Sequence, residues 1–124
     1  MEYDVDYLVV GSGFGGSVSA YRLTQKGYSV AVMEMGKRWS AETYPRSNWS
    51  FHRWLWKPML GLKGFFNISW FKHVLVLHGN AVGGGSITYA NTLLVPKPEI
   101  WQQGSWAGLK DWQAEMPAHY ATAQ

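Results

Sequence analysis

Val5-Asp6-Tyr7-Leu8-Val9-Val10-Gly11-Ser12-Gly13-Phe14-Gly15-Gly16 decides how this chain starts to fold. Residues 5–10 are rich in β-branched and aromatic side chains and stop at a glycine, which reads as a buried strand. Gly11 to Gly16 is a glycine-rich turn of the form G-x-G-x-x-G. Ser17 to Lys26 then reads as a helix that turns Gly16, Ala20 and Leu23 toward the sheet and Val18, Tyr21 and Gln25 away from it. Gly27 suits the left-handed position that closes a helix. Tyr28 to Met33 reads as a second buried strand, followed at once by Glu34. Together these residues form one βαβ unit of roughly 30 residues.

The glycine pattern is weak evidence alone and strong between a strand and a helix with an acid after the second strand. Each glycine has a separate job. Gly11 allows the tight turn, Gly13 lets the backbone approach a pyrophosphate, and Gly16 lets helix and strand pack closely. The helix N-terminus offers unpaired N–H groups and about half a positive charge to phosphates. Glu34 is placed to accept hydrogen bonds from the hydroxyls of an adenosine ribose, and a 2′-phosphate there would meet like charge. The plainer readings are a tight strand–helix turn with no ligand and a solvated carboxylate at a strand end. The fingerprint by itself does not separate FAD from NAD.

The remainder of the 124 residues is less regular. Residues 37–72 carry Trp39, Tyr44, Trp49, Phe51, Trp54, Trp56, Phe65, Phe66, Trp70 and Phe71, broken by Pro45, Pro58, Gly61 and Gly64. This stretch is expected to be an irregular excursion with short helical turns around 51–56. Its aromatics could cover a cofactor, line a path to an apolar substrate, touch a membrane surface, or pack against a domain beyond this chain. His73 to Leu77 reads as a short strand. A second glycine loop, Val82-Gly83-Gly84-Gly85-Ser86, lies within residues 79–95 and could hold another part of a long cofactor, or serve only as a connector. Gly36, two residues past Glu34, is expected where backbone runs close to an adenosine. Leu109 to Glu115 reads as two helical turns ended by Pro117, with a new helix from 117 onward that has no stop signal.

Composition excludes several classes. There is no cysteine, hence no disulfide, thiolate metal site or thiol nucleophile. Eleven Lys and Arg against eight Asp and Glu give +3, but they are scattered, with no run that would hold nucleic acid. No apolar run approaches the ~20 residues of a membrane helix. The first strand begins too early for a secretory signal, and a cytoplasmic location is expected. His52, His73, His78 and His119 form no metal spacing or nucleophile–base pattern, although His78 is five residues from Gly83.

Val9 to Glu34, with Val82-Gly83-Gly84-Gly85-Ser86 and Ala90-Asn91, resembles the glucose–methanol–choline (GMC) oxidoreductases, and within them the bacterial cholesterol-oxidase-like members. The likeness extends to Trp106, Trp112 and Tyr120. It implies an α/β, Rossmann-like FAD-binding βαβ unit (residues 5–36) with an aromatic-rich extension, an incomplete domain whose substrate domain is absent. It further implies that FAD is held by Gly11, Ser12, Gly13, Phe14, Gly15, Gly16 and Glu34, and by Gly83, Gly84, Gly85, Ser86 and Asn91. Many members carry an asparagine three residues after the serine, where this chain has Tyr89. The implied reaction is oxidation of a sterol or other apolar alcohol by the complete enzyme, with no catalytic residue assigned in this chain and with a missing C-terminal portion or second chain as partner. The alternatives are an NAD-type dinucleotide module and a non-enzymatic truncated fragment. Two parallel strands and one helix leave sheet surface uncovered, so marginal folding and poor solubility are expected of the chain alone.

Overall fold

A computed structural model describes residues 3–47, 49–90, 92 and 94–123. They fall into two compact units, residues 1–90 and 91–124, each described by itself.

The first unit begins with the expected βαβ. Strand β1 (Tyr7–Val10) pairs in parallel with β2 (Val30–Met33), in the register Tyr7↔Val30 through Val10↔Met33. Asp6 and Ser29 lock the start of the pair: the Asp6 N–H donates to the Ser29 hydroxyl oxygen, and the Ser29 N–H and hydroxyl donate to the Asp6 carboxylate. Helix α1 (Phe14–Gln25) joins the strands. Gly16, Ala20 and Leu23 are its partly buried positions, as their spacing predicts. The helix starts three residues before the expected Ser17. Glycine is a poor helix former in an interior, but first-turn N–H groups have no intrahelical partner in any case. The C-terminus closes as expected: Gly27 N–H donates to Thr24 O and Tyr28 N–H to Leu23 O, the paired bonds of a Schellman cap.

Side chains alternate across a strand, so Leu8, Val10, Ala31 and Met33 share one face of this sheet. Leu8, Val10 and Met33 are 55%, 79% and 57% exposed. A parallel sheet ordinarily buries both faces; here no residue of β1 or β2 is buried, against the reading of both as buried strands, because the expected uncovered surface is present.

The aromatic-rich stretch differs from the expected irregular excursion. A helical turn does form at α2 (Phe51–Trp54). It is followed by two antiparallel pairs. Strands β3 (Trp56–Lys57) and β4 (Leu62–Lys63) flank a turn in which Pro58 opens and Gly61 closes a 3-10 segment. Strands β5 (Phe66–Trp70) and β6 (Leu75–Gly79) pair from Phe66↔Gly79 to Trp70↔Leu75. The strand expected at 73–77 is therefore shifted by two residues, and its partner is the segment read as irregular. Phe66, Ile68 and Trp70 alternate with Asn67 and Ser69, which is a strand signal; the surrounding prolines and glycines obscured it. Half of the aromatics, Trp39, Tyr44, Trp54, Phe65 and Phe66, pack on one another, while Trp49, Phe51, Trp70 and Phe71 are exposed. Phe65, 8% exposed, meets Trp39, Tyr44 and Phe66 with ring centroids 5.4, 5.3 and 4.7 Å away.

The second unit holds two 3-10 turns, Pro98–Gln102 and Gly104–Trp106, and helix α3 (Trp112–Ala123). Pro117 lies inside α3 rather than ending one helix and opening another. The proline removes one bond, to the Gln113 carbonyl. Upstream anchors hold the start: the Asp111 carboxylate accepts the Ala114 N–H at 3.1 Å, and the Trp112 indole N–H donates to Trp106 O at 2.8 Å. Asp111 thus caps the N-terminus of α3. Replacing it by alanine should cost about 1 kcal/mol, read as a lower thermal midpoint of the helical circular-dichroism signal. A cleft of about 490 Å³ in this unit is lined by Val95, Pro98, Trp101, Met116, Pro117 and Tyr120 among others, with no carboxylate, histidine or basic side chain.

Candidate dinucleotide-binding site

The first glycine loop folds as its spacing demands. Gly11 has φ +91°, a conformation that side chains rarely adopt, and its N–H donates to Met33 O at 2.7 Å. A Cβ on Gly16 would stand 2.0 Å from the Gly11 carbonyl oxygen and 3.4 Å from Val9 Cγ1. Gly13 and Gly15 are different: a Cβ on either would meet no protein atom within 4 Å. Among the described residues, no acceptor reaches the N–H groups of Gly13, Phe14, Gly15 and Gly16, and no acidic residue lies in the first turn of α1. The turn therefore presents free donors and a positive helix end.

Glu34 is held from two sides. Its Oε2 accepts the Ser12 N–H at 2.9 Å and the Ser12 hydroxyl at 2.7 Å, and its Oε1 accepts the Gly36 N–H at 2.9 Å. Burial raises the pKa of this carboxyl. Hydrogen bonds from the Gly36 and Ser12 backbone, the Ser12 hydroxyl and the Met35 backbone outweigh burial, leaving it below the ordinary glutamate value. A carboxylate offers about four lone-pair sites. The donors from Ser12 and Gly36 engage both carboxylate oxygens.

The second glycine loop arrives at the same place. Gly83 has φ +102°, and its N–H donates to the Ser12 hydroxyl oxygen at 3.0 Å. Gly84 lies against Gly13, where a Cβ would come within 2.8 Å of the Gly13 Cα. Gly85 faces the Phe14 ring, and the Tyr89 ring stands edge-on to the same ring at 5.9 Å. Gly84–Ile87 form a short 3-10 turn that includes Ser86. Asn91 lies outside the described residues.

The geometry thus brings together Gly11, Ser12, Gly13, Phe14, Gly15, Gly16, Glu34, Gly83, Gly84 and Gly85. Gly36 is required by the packing of the chain itself. A Cβ there would lie 2.3 Å from Asn80 O and 2.4 Å from Ala81 Cα, so this glycine admits the chain that leads into the second loop. Asn80 and Ala81, 7% and 0% exposed, are at the core of this junction and went unnoticed in the sequence. Only the small side chain of Ala81 hinted at it. His78 is engaged within the β5–β6 pair, its Nε2 lying 3.2 Å from the Ser69 hydroxyl. Among the described residues no cluster of three or more potential ligands could hold a metal ion.

A family model described as an NAD(P)-binding Rossmann-like domain matches residues 9–65. The chain is 64% identical to a cholesterol oxidase of Acinetobacter baumannii over 98% of its own length, and 46% identical to a cholesterol oxidase of Mycobacterium tuberculosis over all of it. It is 32% identical, over 86% of its length, to a GMC-type oxidoreductase of M. tuberculosis. The chain is similar to GMC oxidoreductases over most of its own length. It spans 22% of the length of each cholesterol oxidase and 17% of the third relative. The donors at the start of α1 and the space beside Gly13 and Gly15 suit a dinucleotide pyrophosphate. The ionised Glu34 beside the loop suits a ribose hydroxyl.

Proposed function

We propose that residues 1–90 bind FAD within an oxidoreductase that acts on CH–OH groups, with a sterol or another apolar alcohol as substrate. The observation that carries this reading is the meeting of two glycine loops, about 70 residues apart, at one helix N-terminus. A nicotinamide dinucleotide needs only the first loop and the acid. A second backbone-lined loop at the same end fits a cofactor that continues past the pyrophosphate. The N–H groups of Gly13 to Gly16 hold the pyrophosphate, Glu34 takes a ribose hydroxyl, and Gly83 to Ser86 line the flavin side. A bound flavin supplies the two-electron acceptor needed to oxidise an alcohol. The sterol preference is drawn from the names of the relatives at 64% and 46% identity.

The test is to purify the chain, add FAD or NAD in separate samples, and record spectra after gel filtration. A visible flavin band that travels with the protein is the expected result. Retention of NAD and not FAD would replace the flavin reading with a nicotinamide one. Retention of neither by folded protein would overturn the dinucleotide assignment for these residues.

A further inference from the structure

We propose that Ser12 is not a cofactor ligand but a positioning residue, clasping the second glycine loop to the Glu34 carboxylate. A serine hydroxyl has one hydrogen to give and two lone pairs to offer. Here the hydrogen goes to Glu34 Oε2 at 2.7 Å, and one lone pair accepts the Gly83 N–H at 3.0 Å. The Ser12 backbone N–H also goes to Glu34 Oε2, and its carbonyl accepts the Ser17 hydroxyl at 2.8 Å. Both donors of Ser12 are therefore committed inside the protein. A pyrophosphate oxygen only accepts hydrogen bonds, so Ser12 has nothing to give it. The residue is 7% exposed, which also places it behind the surface that a ligand would touch.

The clasp joins segments far apart in the chain, 22 residues from Ser12 to Glu34 and 71 to Gly83. The negative charge on Glu34 polarises the hydroxyl, which makes its oxygen a better acceptor for the Gly83 N–H. Hydrogen bonds to a charged group are among the stronger ones. The conformation of the second loop is thereby tied to the ionised ribose-side acid. The function of the clasp rests on the FAD reading above; its existence does not.

The experiment is amide hydrogen exchange on the full chain, following the Gly83 N–H against the amides of the β5–β6 pair, for the unaltered protein, Ser12→Ala and Ser12→Thr. The expected result is a selective loss of Gly83 protection in Ser12→Ala of roughly tenfold, recovered in Ser12→Thr, which keeps the hydroxyl. A loss of stability alone would speed exchange at Gly83 and at the reference amides together, and would overturn the proposal. So would an unprotected Gly83 in the unaltered chain, or unchanged protection in Ser12→Ala. FAD titration of the same samples separates the two readings. Selective deprotection in a chain that binds no FAD leaves the clasp standing and removes the flavin reading. FAD binding with Gly83 unaffected by Ser12→Ala does the reverse.

Discussion

Gly16→Ala is expected to cost about 3 kcal/mol or more, a large share of the first unit's stability. The added Cβ would sit 2.0 Å from the Gly11 carbonyl oxygen and 3.0 Å from its carbon. Both are backbone atoms, held by the Gly11 N–H bond to Met33 O. No side chain can rotate away to make room, so the strand and α1 must separate. Overpacking a core costs roughly 1–3 kcal/mol where side chains can adjust, and this site has less freedom than that. A typical domain is stable by only about 5–15 kcal/mol. Urea unfolding followed by tryptophan fluorescence should show a much lower midpoint. Gly15→Ala is the matched control. Its Cβ meets no protein atom within 4 Å, so the folded chain should tolerate it, while FAD binding should weaken because the methyl group occupies the space beside the phosphates. If Gly16→Ala unfolds at the same urea concentration as the unaltered chain, the close strand–helix contact is wrong.

Glu34→Ala should be the next largest change, destabilising the first unit by about 2–4 kcal/mol. It removes the acceptor for the Ser12 N–H, the Ser12 hydroxyl and the Gly36 N–H at once. A buried donor left without a partner costs roughly 1–3 kcal/mol. Glu34→Gln should cost less, because the amide oxygen keeps one side of the arrangement and its NH₂ faces donors on the other. The acid also makes stability depend on pH. Its folded pKa lies below the ordinary glutamate value, about 4.3, so the folded state favours the ionised form. Its contribution is fully present above that ordinary value and is lost as pH falls below it, through the folded pKa. Asp6 and Glu42 are also lowered, by hydrogen bonds from Ser29 and from Ser40 respectively. The comparison with Glu34→Ala isolates the one carboxylate. Between pH 6 and pH 3 the unaltered chain should lose more stability than the variant; parallel curves would remove Glu34 from its structural role.

The first thirty-odd residues were legible because their physics is local. The order of strand, glycine turn, helix, Gly27 cap and acid follows from spacing and residue type, and the structure agrees to within a few residues. Gly11 and Gly16 do the separate jobs their positions implied, a positive φ and a close approach. The β5–β6 pair was legible in principle, since Phe66, Ile68 and Trp70 alternate with Asn67 and Ser69. Pro117 misled because the cost of one lost helical bond is set by what else anchors the helix. Here that is the Asp111 cap and the Trp112 indole.

The sequence by itself determined the βαβ unit, the likeness to an alcohol-oxidising family and the residues of the first glycine loop. Only the tertiary structure decided that the second loop closes on the first, that Ser12 bonds to both Glu34 and Gly83, and that Gly36 makes way for Asn80 and Ala81. These contacts join positions 22 to 71 residues apart or bring backbone against backbone. Such meetings leave no periodic trace in the chain, because they depend on where whole elements pack and not on the residues beside them.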